Sequence, residues 1–188
     1  MIIMTSITQA FKLVNRVDFV PDSIKEEADI DVPLPIGFGQ TISQPTTVLM
    51  MLEWLEAKAG NKVLDVGSGS GWTTALLSHI VGPKGKVFAI ERLPELVEFG
   101  RDNCKKIGIS NAQFIKAGKD YGLPKYLPYD RILVSASAQK LPEALLNQLK
   151  VGGKLVIPVQ NDILEISKTS NKNYKSVKHP GFVFVPLI

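Results

Sequence analysis

A glycine-rich turn follows a short apolar segment near the middle of the chain, and few folds accommodate that combination. Residues 63–71 read Val-Leu-Asp-Val-Gly-Ser-Gly-Ser-Gly. A short apolar run with a single acid, Asp65, is typical of a buried parallel strand. Glycines directly after the strand allow a tight turn whose backbone lies close to a ligand. The segment therefore predicts a strand, a ligand-binding turn and then a helix from Trp72.

The next apolar segment, residues 86–90, ends at Glu91, which lies 24 residues after Gly67. An acid at this distance is placed to accept hydrogen bonds from ribose hydroxyls. The glycine spacing is GxGxG, whereas the dinucleotide-binding fingerprint needs its third glycine one place later, for the helix that faces a pyrophosphate. A cofactor with a ribose and an adenine but no phosphate satisfies both observations. The pattern therefore favours S-adenosylmethionine.

From Lys62 onward, apolar strand-like segments alternate with helix-like segments. This alternation predicts an α/β fold: a doubly wound, mostly parallel seven-stranded sheet with helices on both faces, in a Rossmann-like arrangement. We predict strands at 62–66, 86–90, 112–116, 130–135 and 153–159, helices at 72–80, 94–107 and 141–149, and a closing antiparallel pair at 163–168 and 181–187 around Asn171 and Asn173. Before Lys62 we predict a helix within 7–17, a loop over 18–44, and a helix from Pro45 to near Gly60.

Composition limits the classes that remain. At 188 residues we expect one domain over 1–188, with residues 1–58 leading into a cofactor-binding core at 61–188. The net charge of +4 is scattered along the chain and argues only weakly for nucleic acid. No apolar run approaches the roughly 20 residues of a membrane span. Cys104 is the only cysteine, so no intramolecular disulfide can form, which suits a cytoplasmic protein. One cysteine and two distant histidines predict no metal site.

In an open α/β sheet, ligands bind outside the carboxyl ends of the strands. The segments that follow the predicted strands therefore supply the candidate site. We predict that the cofactor contacts Asp65, Gly67, Ser68, Gly69, Gly71, Glu91, Arg92, Gly118 and Asp120. We predict that the substrate contacts Ile36, Phe38, Gln40, Thr41, Ile42, Ser135 and Ala136. Ser43 has two interpretations, as an active-site hydroxyl or, like Gln44, as the residue that caps the helix at Pro45.

Several segments resemble one known family. The loop Pro33-Leu-Pro-Ile-Gly-Phe-Gly-Gln-Thr-Ile-Ser-Gln-Pro45 is similar to the signature of the protein-L-isoaspartate O-methyltransferases. The glycine-rich segment 63–71, Glu91-Arg-Leu-Pro-Glu95, Tyr129–Val134, Leu141–Pro158 and Phe184–Leu187 complete a resemblance over about residues 13–187. Many methyltransferases share the glycine-rich turn. The ending Thr41-Ile-Ser-Gln-Pro45 is much more specific and decides the family.

The resemblance implies a function. It implies an enzyme that transfers a methyl group from S-adenosylmethionine, leaving S-adenosylhomocysteine, to isoaspartyl carboxylates in damaged proteins and peptides, as a step of protein repair. By position it gives Ser43 the active-site role, Gly67 and Gly69 contact with the methionine part of the cofactor, and Glu91 contact with the ribose. An isoaspartyl carboxylate is already ionised at neutral pH, so the reaction needs alignment and removal of water rather than a general base.

The sequence departs from the family pattern in three places. The family usually has Gly-Asp-Gly near the adenine, where an ungapped alignment puts Ala117-Gly118-Lys119. Asp120 is the candidate replacement, and backbone contacts alone are the alternative. We also expect a shortened leading helix and a missing tail after Leu187, which in relatives helps to close over the cofactor. These departures concern cofactor affinity and closure more than the fold.

Two other functions are compatible with the same predicted cofactor-binding residues. One is a methyltransferase that acts on RNA or a small molecule, although an Asn-Pro-Pro-aromatic motif and an added basic domain are both absent. The other is a non-catalytic relative that binds the cofactor or damaged peptides without turnover. We predict isoaspartyl proteins and peptides as partners, no membrane or nucleic-acid partner, and a cytoplasmic monomer.

Overall fold

The computed structural model describes residues 6–187; residues 1–5 and 188 of the predicted domain lie outside this range. The helices are α1 (Ser6–Leu13), α2 (Pro45–Leu55), α3 (Trp72–Val81), α4 (Pro94–Lys106) and α5 (Glu143–Gln148). The strands are β1 (Leu34–Gly37), β2 (Gln40–Ile42), β3 (Lys62–Val66), β4 (Lys86–Glu91), β5 (Ala112–Lys116), β6 (Tyr129–Val134), β7 (Leu149–Val159), β8 (Asp162–Lys168) and β9 (Tyr174–Pro180).

Seven strands form one sheet in the order β5-β4-β3-β6-β7-β8-β9. The strands from β5 to β7 are parallel, and β8 and β9 each run antiparallel to the strand before them. The strand order reverses beside β3, because β4 and β5 lie on one side of it and β6 and β7 on the other. The fold class predicted from the sequence is therefore confirmed. This reversal is the place where ligands bind in open α/β sheets.

Alternate residues of the central strands face opposite sides of the sheet, which gives two apolar cores. Val63 of β3 and Leu133 of β6 belong to the core beneath helices α1 to α4. Their neighbours Leu64 and Ile132 belong to the second core, which Leu145 of α5 helps to cover. The four strand residues are at most 1% exposed. Helices therefore cover both faces, and burial of both side-chain sets explains why these strands are almost entirely apolar.

The last strand lies elsewhere than predicted. The chain pairs with β8 over Tyr174–Pro180, whereas we predicted 181–187, although the antiparallel pairing and the turn around Asn171 and Asn173 are as expected. Strand β9 is an exposed edge, so its polar sequence Tyr-Lys-Ser-Val-Lys-His-Pro lacks an apolar alternation. The apolar segment that follows crosses the carboxyl edge of the sheet instead. There the Ser137 N–H donates to the Val185 carbonyl at 2.8 Å, and the Leu187 N–H donates to the Ser137 carbonyl at 2.8 Å.

The amino-terminal part is more structured than the sequence suggested. The predicted helix over 7–17 ends at Leu13, and 3-10 helices follow at Arg16–Phe19 and Asp22–Glu27. The predicted loop over 18–44 contains a hairpin in which β1 pairs antiparallel with β2. This hairpin is difficult to predict from the sequence, because its segment contains proline and glycine, and both residues usually interrupt strands.

Three other boundaries also moved. Helix α2 ends at Leu55 rather than near Gly60, because Glu56 takes a left-handed conformation with φ 50°. Helix α5 covers Glu143–Gln148 instead of 141–149. Strand β7 then starts at once, at Leu149 rather than at 153. Within residues 6–187, no helix is long and apolar enough to cross a membrane.

Candidate active site

The glycine-rich turn lies between β3 and α3 at the carboxyl edge of the sheet. Gly67, Gly69 and Gly71 have φ angles of 73°, 50° and 89°, a region that favours glycine. A Cβ on Gly71 would lie only 2.8 Å from the carbonyl oxygen of Gly100 in α4. A Cβ on Gly100 would in turn lie 2.9 Å from the Gly69 carbonyl oxygen. The third glycine therefore serves close packing of α4, while Gly67 and Gly69 face the cavity above the turn.

Glu91 fixes the turn to the end of β4. Its side chain is buried, and its Oε2 accepts a hydrogen bond from the Gly69 N–H at 3.0 Å. Its Oε1 accepts from the N–H groups of Arg92 at 2.6 Å and Leu93 at 3.0 Å. The carboxylate also lines the cavity. Glu91 can therefore hold the turn in shape and present acceptor lone pairs to a ligand's hydroxyls.

Asp65 lies beneath the turn and does not line the cavity. Its Oδ2 accepts hydrogen bonds from the hydroxyls of Thr73 at 2.8 Å and Thr74 at 2.6 Å. Its Oδ1 is buried and has no partner among the described residues. Burial raises the pKa of Asp65 to about 6; the two threonine hydroxyls oppose this effect and the charge of Glu91 adds to it. Asp65 thus supports the turn from below.

The hairpin β1–β2 stands beside the turn and leads directly to Ser43. Ile36 of β1 touches the turn, since its Cδ1 lies 3.2 Å from the Cβ position of Gly69. The N-terminus of α2 is capped by Asp31, whose Oδ1 accepts from the Thr46 N–H at 2.9 Å and whose Oδ2 accepts from the Thr46 hydroxyl at 2.7 Å. The capping interpretation of Ser43 is therefore wrong, and no hydrogen bond to its hydroxyl is found within residues 6–187.

One cavity joins the hairpin, the turn and the strand ends. The space between them measures about 820 Å³, a volume that includes open solvent. Of the predicted residues it brings together Ser43, the cofactor-side residues Gly67, Ser68, Gly69, Glu91 and Arg92, and the substrate-side residues Ile36, Gln40, Thr41, Ile42, Ser135 and Ala136. The two groups of predicted residues thus share a single cavity.

Five predicted residues lie outside the cavity lining. Asp65 and Gly71 are in the packed layer below the turn. Phe38 is at the exposed tip of the hairpin, 60% accessible. Gly118 and Asp120 are exposed beyond the end of β5, and Ala117 faces the cavity in their place. The predicted roles of these five residues stay predictions.

Other lining residues were not among the predicted site residues. They are Val66, Ser70, Trp72, Thr73, Ile90, Leu93, Ala117, Val185, Pro186 and Leu187. Most of them directly precede or follow a predicted residue at a strand end, and that adjacency is the signal that could have identified them. Val185 to Leu187 carried no such signal, because their sequence resembles a strand. The Ser68 hydroxyl and the Trp72 indole N–H are buried without partners in the described part of the chain. Unpartnered donors beside a cavity fit a polar ligand such as an adenosyl amino acid.

A groove continues from this cavity along the carboxyl edge of the sheet. It shares Thr41, Ser43, Ser135 and Val185 with the cavity. Its remaining walls come from the residue before β1, from the start of α2 and from the segment after β9: Pro33, Gln44, Thr46, Thr47, Met50, Gly181, Phe182, Val183 and Phe184. Val183 is 85% exposed. Ser43 thus stands at the junction between the cavity and the groove.

A seven-stranded sheet of this order, with a glycine turn after its central strand and an acid after the neighbouring one, defines the class I S-adenosylmethionine-dependent methyltransferases. The model of the family Protein-L-isoaspartate(D-aspartate) O-methyltransferase (PCMT) matches residues 1–188. The chain therefore belongs to the protein-L-isoaspartate O-methyltransferase family.

Individual relatives agree with this assignment. The chain is 44% identical over 187 residues to the protein-L-isoaspartate O-methyltransferase of Methanopyrus kandleri, covering 97% of this chain and 83% of that one. It is similar to a solved Plasmodium falciparum structure of a beta-aspartate methyltransferase (PCMT) in complex with S-adenosyl-L-homocysteine, with a TM-score of 0.88, 28% identity, and coverage of 100% and 92% of the two chains. Another solved protein-L-isoaspartate O-methyltransferase has a TM-score of 0.87 at 28% identity, and the alignment covers 98% of this chain but 62% of that one.

Proposed function

We propose that this chain transfers a methyl group from S-adenosylmethionine to the free carboxylate of L-isoaspartyl residues in damaged proteins and peptides. The observation that carries the proposal is the shared cavity. In that cavity the Ser43 hydroxyl, which has no hydrogen-bond partner among residues 6–187, shares a space with Gly67, Gly69 and Glu91. For a direct methyl transfer, the residues that bind the cofactor and those that bind the substrate must border the same space.

The cofactor side consists of the turn and the end of β4. We assign the ribose to the Glu91 carboxylate and the methionine part to the backbone of Gly67 and Gly69. The Ser68 hydroxyl and the Trp72 indole N–H have no partner among residues 6–187, and we assign them hydrogen bonds to the cofactor at the same place. When bound there, S-adenosylmethionine supplies an electrophilic methyl group on a sulfonium. Ala117 contributes a methyl wall beside Gly118, the position where the family usually has an acid, so backbone contacts are the main candidates for the adenine amino group.

The substrate side is built around Ser43. A peptide carboxyl group has a pKa near 4 or lower, so the substrate is ionised at neutral pH and no protein base is required. We assign the Ser43 hydroxyl as the donor of a hydrogen bond to one carboxylate oxygen, which leaves the other oxygen free to attack. A hydroxyl suits this task because it binds the anion without a counter-charge that would strongly reduce its nucleophilicity.

Apolar walls keep water from the reacting groups. Ile36 and Ile42 from the hairpin and Leu93 from the start of α4 surround the polar atoms. The groove beyond Ser43 gives the peptide chain on one side of the isoaspartyl residue a path out of the cavity. Because the groove is open, a damaged site inside a flexible polypeptide can enter it, whereas a closed pocket would admit only small molecules. This difference favours a protein or peptide substrate over the small-molecule alternative.

Three substrates tested with labelled cofactor separate the candidate functions. The protein should transfer labelled methyl groups to an isoaspartyl peptide, and not to the same peptide with normal aspartate or to RNA. Base-labile release of labelled methanol identifies the product as a carboxyl methyl ester. Transfer to RNA alone would support the nucleic-acid alternative. Binding of S-adenosylhomocysteine without any transfer would support the non-catalytic alternative.

A further inference from the structure

A buried arginine outside the cavity lining holds the loop that carries Ser43. Arg16 is only 6% exposed and follows α1. Its Nη1 donates to the carbonyl oxygens of Ala28 at 2.9 Å and Ile30 at 3.1 Å. Its Nη2 donates to the carbonyl oxygen of Val32 at 2.8 Å. One guanidinium thus gathers three carbonyls from the segment that precedes the hairpin.

The same guanidinium reaches the segment that follows the hairpin. Its Nη2 also lies 3.1 Å from the carbonyl oxygen of Ser43 and 3.4 Å from that of Ile42. Arg16 therefore fixes the backbone on both sides of β1–β2, including the peptide unit of the residue assigned to the substrate carboxylate. The Ser43 side chain is left free, because Arg16 holds only its main chain.

The guanidinium also contacts the cofactor side of the site. Its carbon lies 5.5 Å from the ring centroid of Trp72, which opens α3 after the glycine turn and lines the cavity. Such a stack is an attraction between the cation and the ring. The edge of the Arg16 guanidinium thus donates hydrogen bonds to the loop that carries Ser43. Its face packs against Trp72, the first residue of the helix that follows the glycine-rich turn.

Within residues 6–187 the guanidinium of Arg16 forms no direct ion pair, and carbonyl oxygens hold it instead. Burial lowers the pKa of the guanidinium, and the nearby carboxylates of Asp31 and Asp29 oppose that effect. Five carbonyl oxygens accept its hydrogen bonds. A lysine has one nitrogen at the end of its chain and cannot serve five acceptors spread over two segments. The arrangement depends on the guanidinium geometry as well as on positive charge.

We infer that Arg16 is a positioning residue for the transfer reaction, which sets the distance and angle between the Ser43 loop and the glycine turn. The inference rests on the proposed role of Ser43. A loop held at several points by one side chain shifts when that side chain is lost, and a displacement of about 1 Å can cost about a hundredfold in rate. The cofactor side keeps its own bonds through Glu91, so it should be affected much less.

The test compares Arg16→Lys with Arg131→Lys. Arg131 is a matched control, because it is a half-buried arginine that donates to the carbonyl oxygens of Glu56 at 3.0 Å and Asp130 at 2.8 Å, outside the cavity lining. Both variants should melt below the wild type. Arg16→Lys should in addition lower kcat for isoaspartyl peptide by about tenfold to a hundredfold, with the dissociation constant of S-adenosylhomocysteine within about threefold of wild type. Arg131→Lys should leave kcat unchanged.

A second comparison asks whether Arg16 acts through Ser43. In a Ser43→Ala background, Arg16→Lys should cause much less additional loss of kcat than in the wild type, because the aligned hydroxyl is already gone. If Arg16→Lys does not fold, Asp31→Asn is the second test, because the exposed Asp31 also holds the chain next to Ser43 through Thr46. That variant should also lower kcat, while the dissociation constant of S-adenosylhomocysteine stays close to the wild-type value.

Several outcomes would overturn the inference. An unchanged kcat in folded Arg16→Lys, an equal loss in Arg131→Lys, or a matching loss of S-adenosylhomocysteine affinity would each reduce Arg16 to a purely structural residue. Full additivity with Ser43→Ala would show that it acts elsewhere. A wild-type protein that does not methylate isoaspartyl peptide at all would instead refute the proposed function, so the two failures are distinguishable.

Discussion

Asp65 should make the stability of this protein depend on pH in an unusual direction. Its carboxyl group is fully buried, with one oxygen held by two threonine hydroxyls and the other without a partner among the described residues. Such a group prefers to be neutral, and burial raises its pKa from 3.8 to about 6. Replacing Asp65 with asparagine keeps an oxygen for the threonines and removes the charge.

The sign and size follow from the difference between folded and unfolded pKa values. At about pH 3 and below both states hold the proton, so the carboxyl group adds no pH-dependent cost. As the pH rises toward 6, the unfolded state loses the proton first, and the folded state becomes less stable relative to it. Above pH 6 the full cost is present, about 3 kcal/mol at 1.36 kcal/mol per pH unit. The stability of Asp65→Asn relative to wild type should therefore increase by about 3 kcal/mol between about pH 3 and pH 7.

Urea unfolding of both proteins at several pH values measures this difference directly. A constant offset, such as the cost of the new amide group, does not change with pH and does not disturb the test. Asp130→Asn is a control of opposite sign. Burial would raise the pKa of Asp130, but the Lys62 N–H and the Lys150 ammonium more than compensate and hold it below its usual value. That variant should lose stability relative to wild type as the pH rises from the lowered folded pKa toward about 4, and the difference should stay level above that. A flat difference for Asp65→Asn would refute the reasoning about its burial.

Three further substitutions test the cofactor side. Glu91→Ala should weaken S-adenosylhomocysteine binding by about 1.5–3 kcal/mol in calorimetry, the range for hydrogen bonds to a charged group, and unchanged affinity would remove Glu91 from the site. Gly100→Ala should lower the free energy of unfolding in urea by about 1–3 kcal/mol and also weaken cofactor binding, because its Cβ would press on the Gly69 carbonyl oxygen. Asp102→Ala, on the exposed side of the same helix, is the control and should change neither quantity. Asp120→Ala should leave the cofactor dissociation constant unchanged, because this exposed residue does not line the cavity, and a clear rise would show that its loop closes over the adenine.

The central part of the fold could be predicted because burial on both faces leaves a clear pattern. Strands β3 and β4 are mostly apolar runs of five and six residues, and each ends where a polar or glycine-rich segment begins. The class of cofactor followed from two local features, the spacing of the glycines and the position of Glu91. Both features depend on residues close together in the sequence.

The parts that the sequence did not predict depend on contacts between distant segments. Strand β9 is an exposed edge that forms because β8 offers it hydrogen bonds, so its own residues show no apolar period. The apolar run at 181–187 looked like a strand because its side chains pack against the sheet edge and the cavity. The cap of α2 comes from Asp31, which lies 14 residues before Pro45. A search among the residues next to Pro45 therefore led to the wrong capping residue, Ser43. The role of Arg16 likewise becomes visible only in the folded structure, where residues 28–32 and residues 42–43 lie around the same guanidinium.

The most direct test of the account is single-turnover methyl transfer by Ser43→Ala to an isoaspartyl peptide, with S-adenosylhomocysteine affinity and melting temperature measured on the same sample. The account predicts transfer slower by about a hundredfold, because the carboxylate is no longer aligned, with cofactor affinity within about twofold of wild type. It also predicts a melting temperature close to wild type, since Asp31 rather than Ser43 caps the helix. Transfer at the wild-type rate would contradict the claim that Ser43 orients the substrate in this cavity.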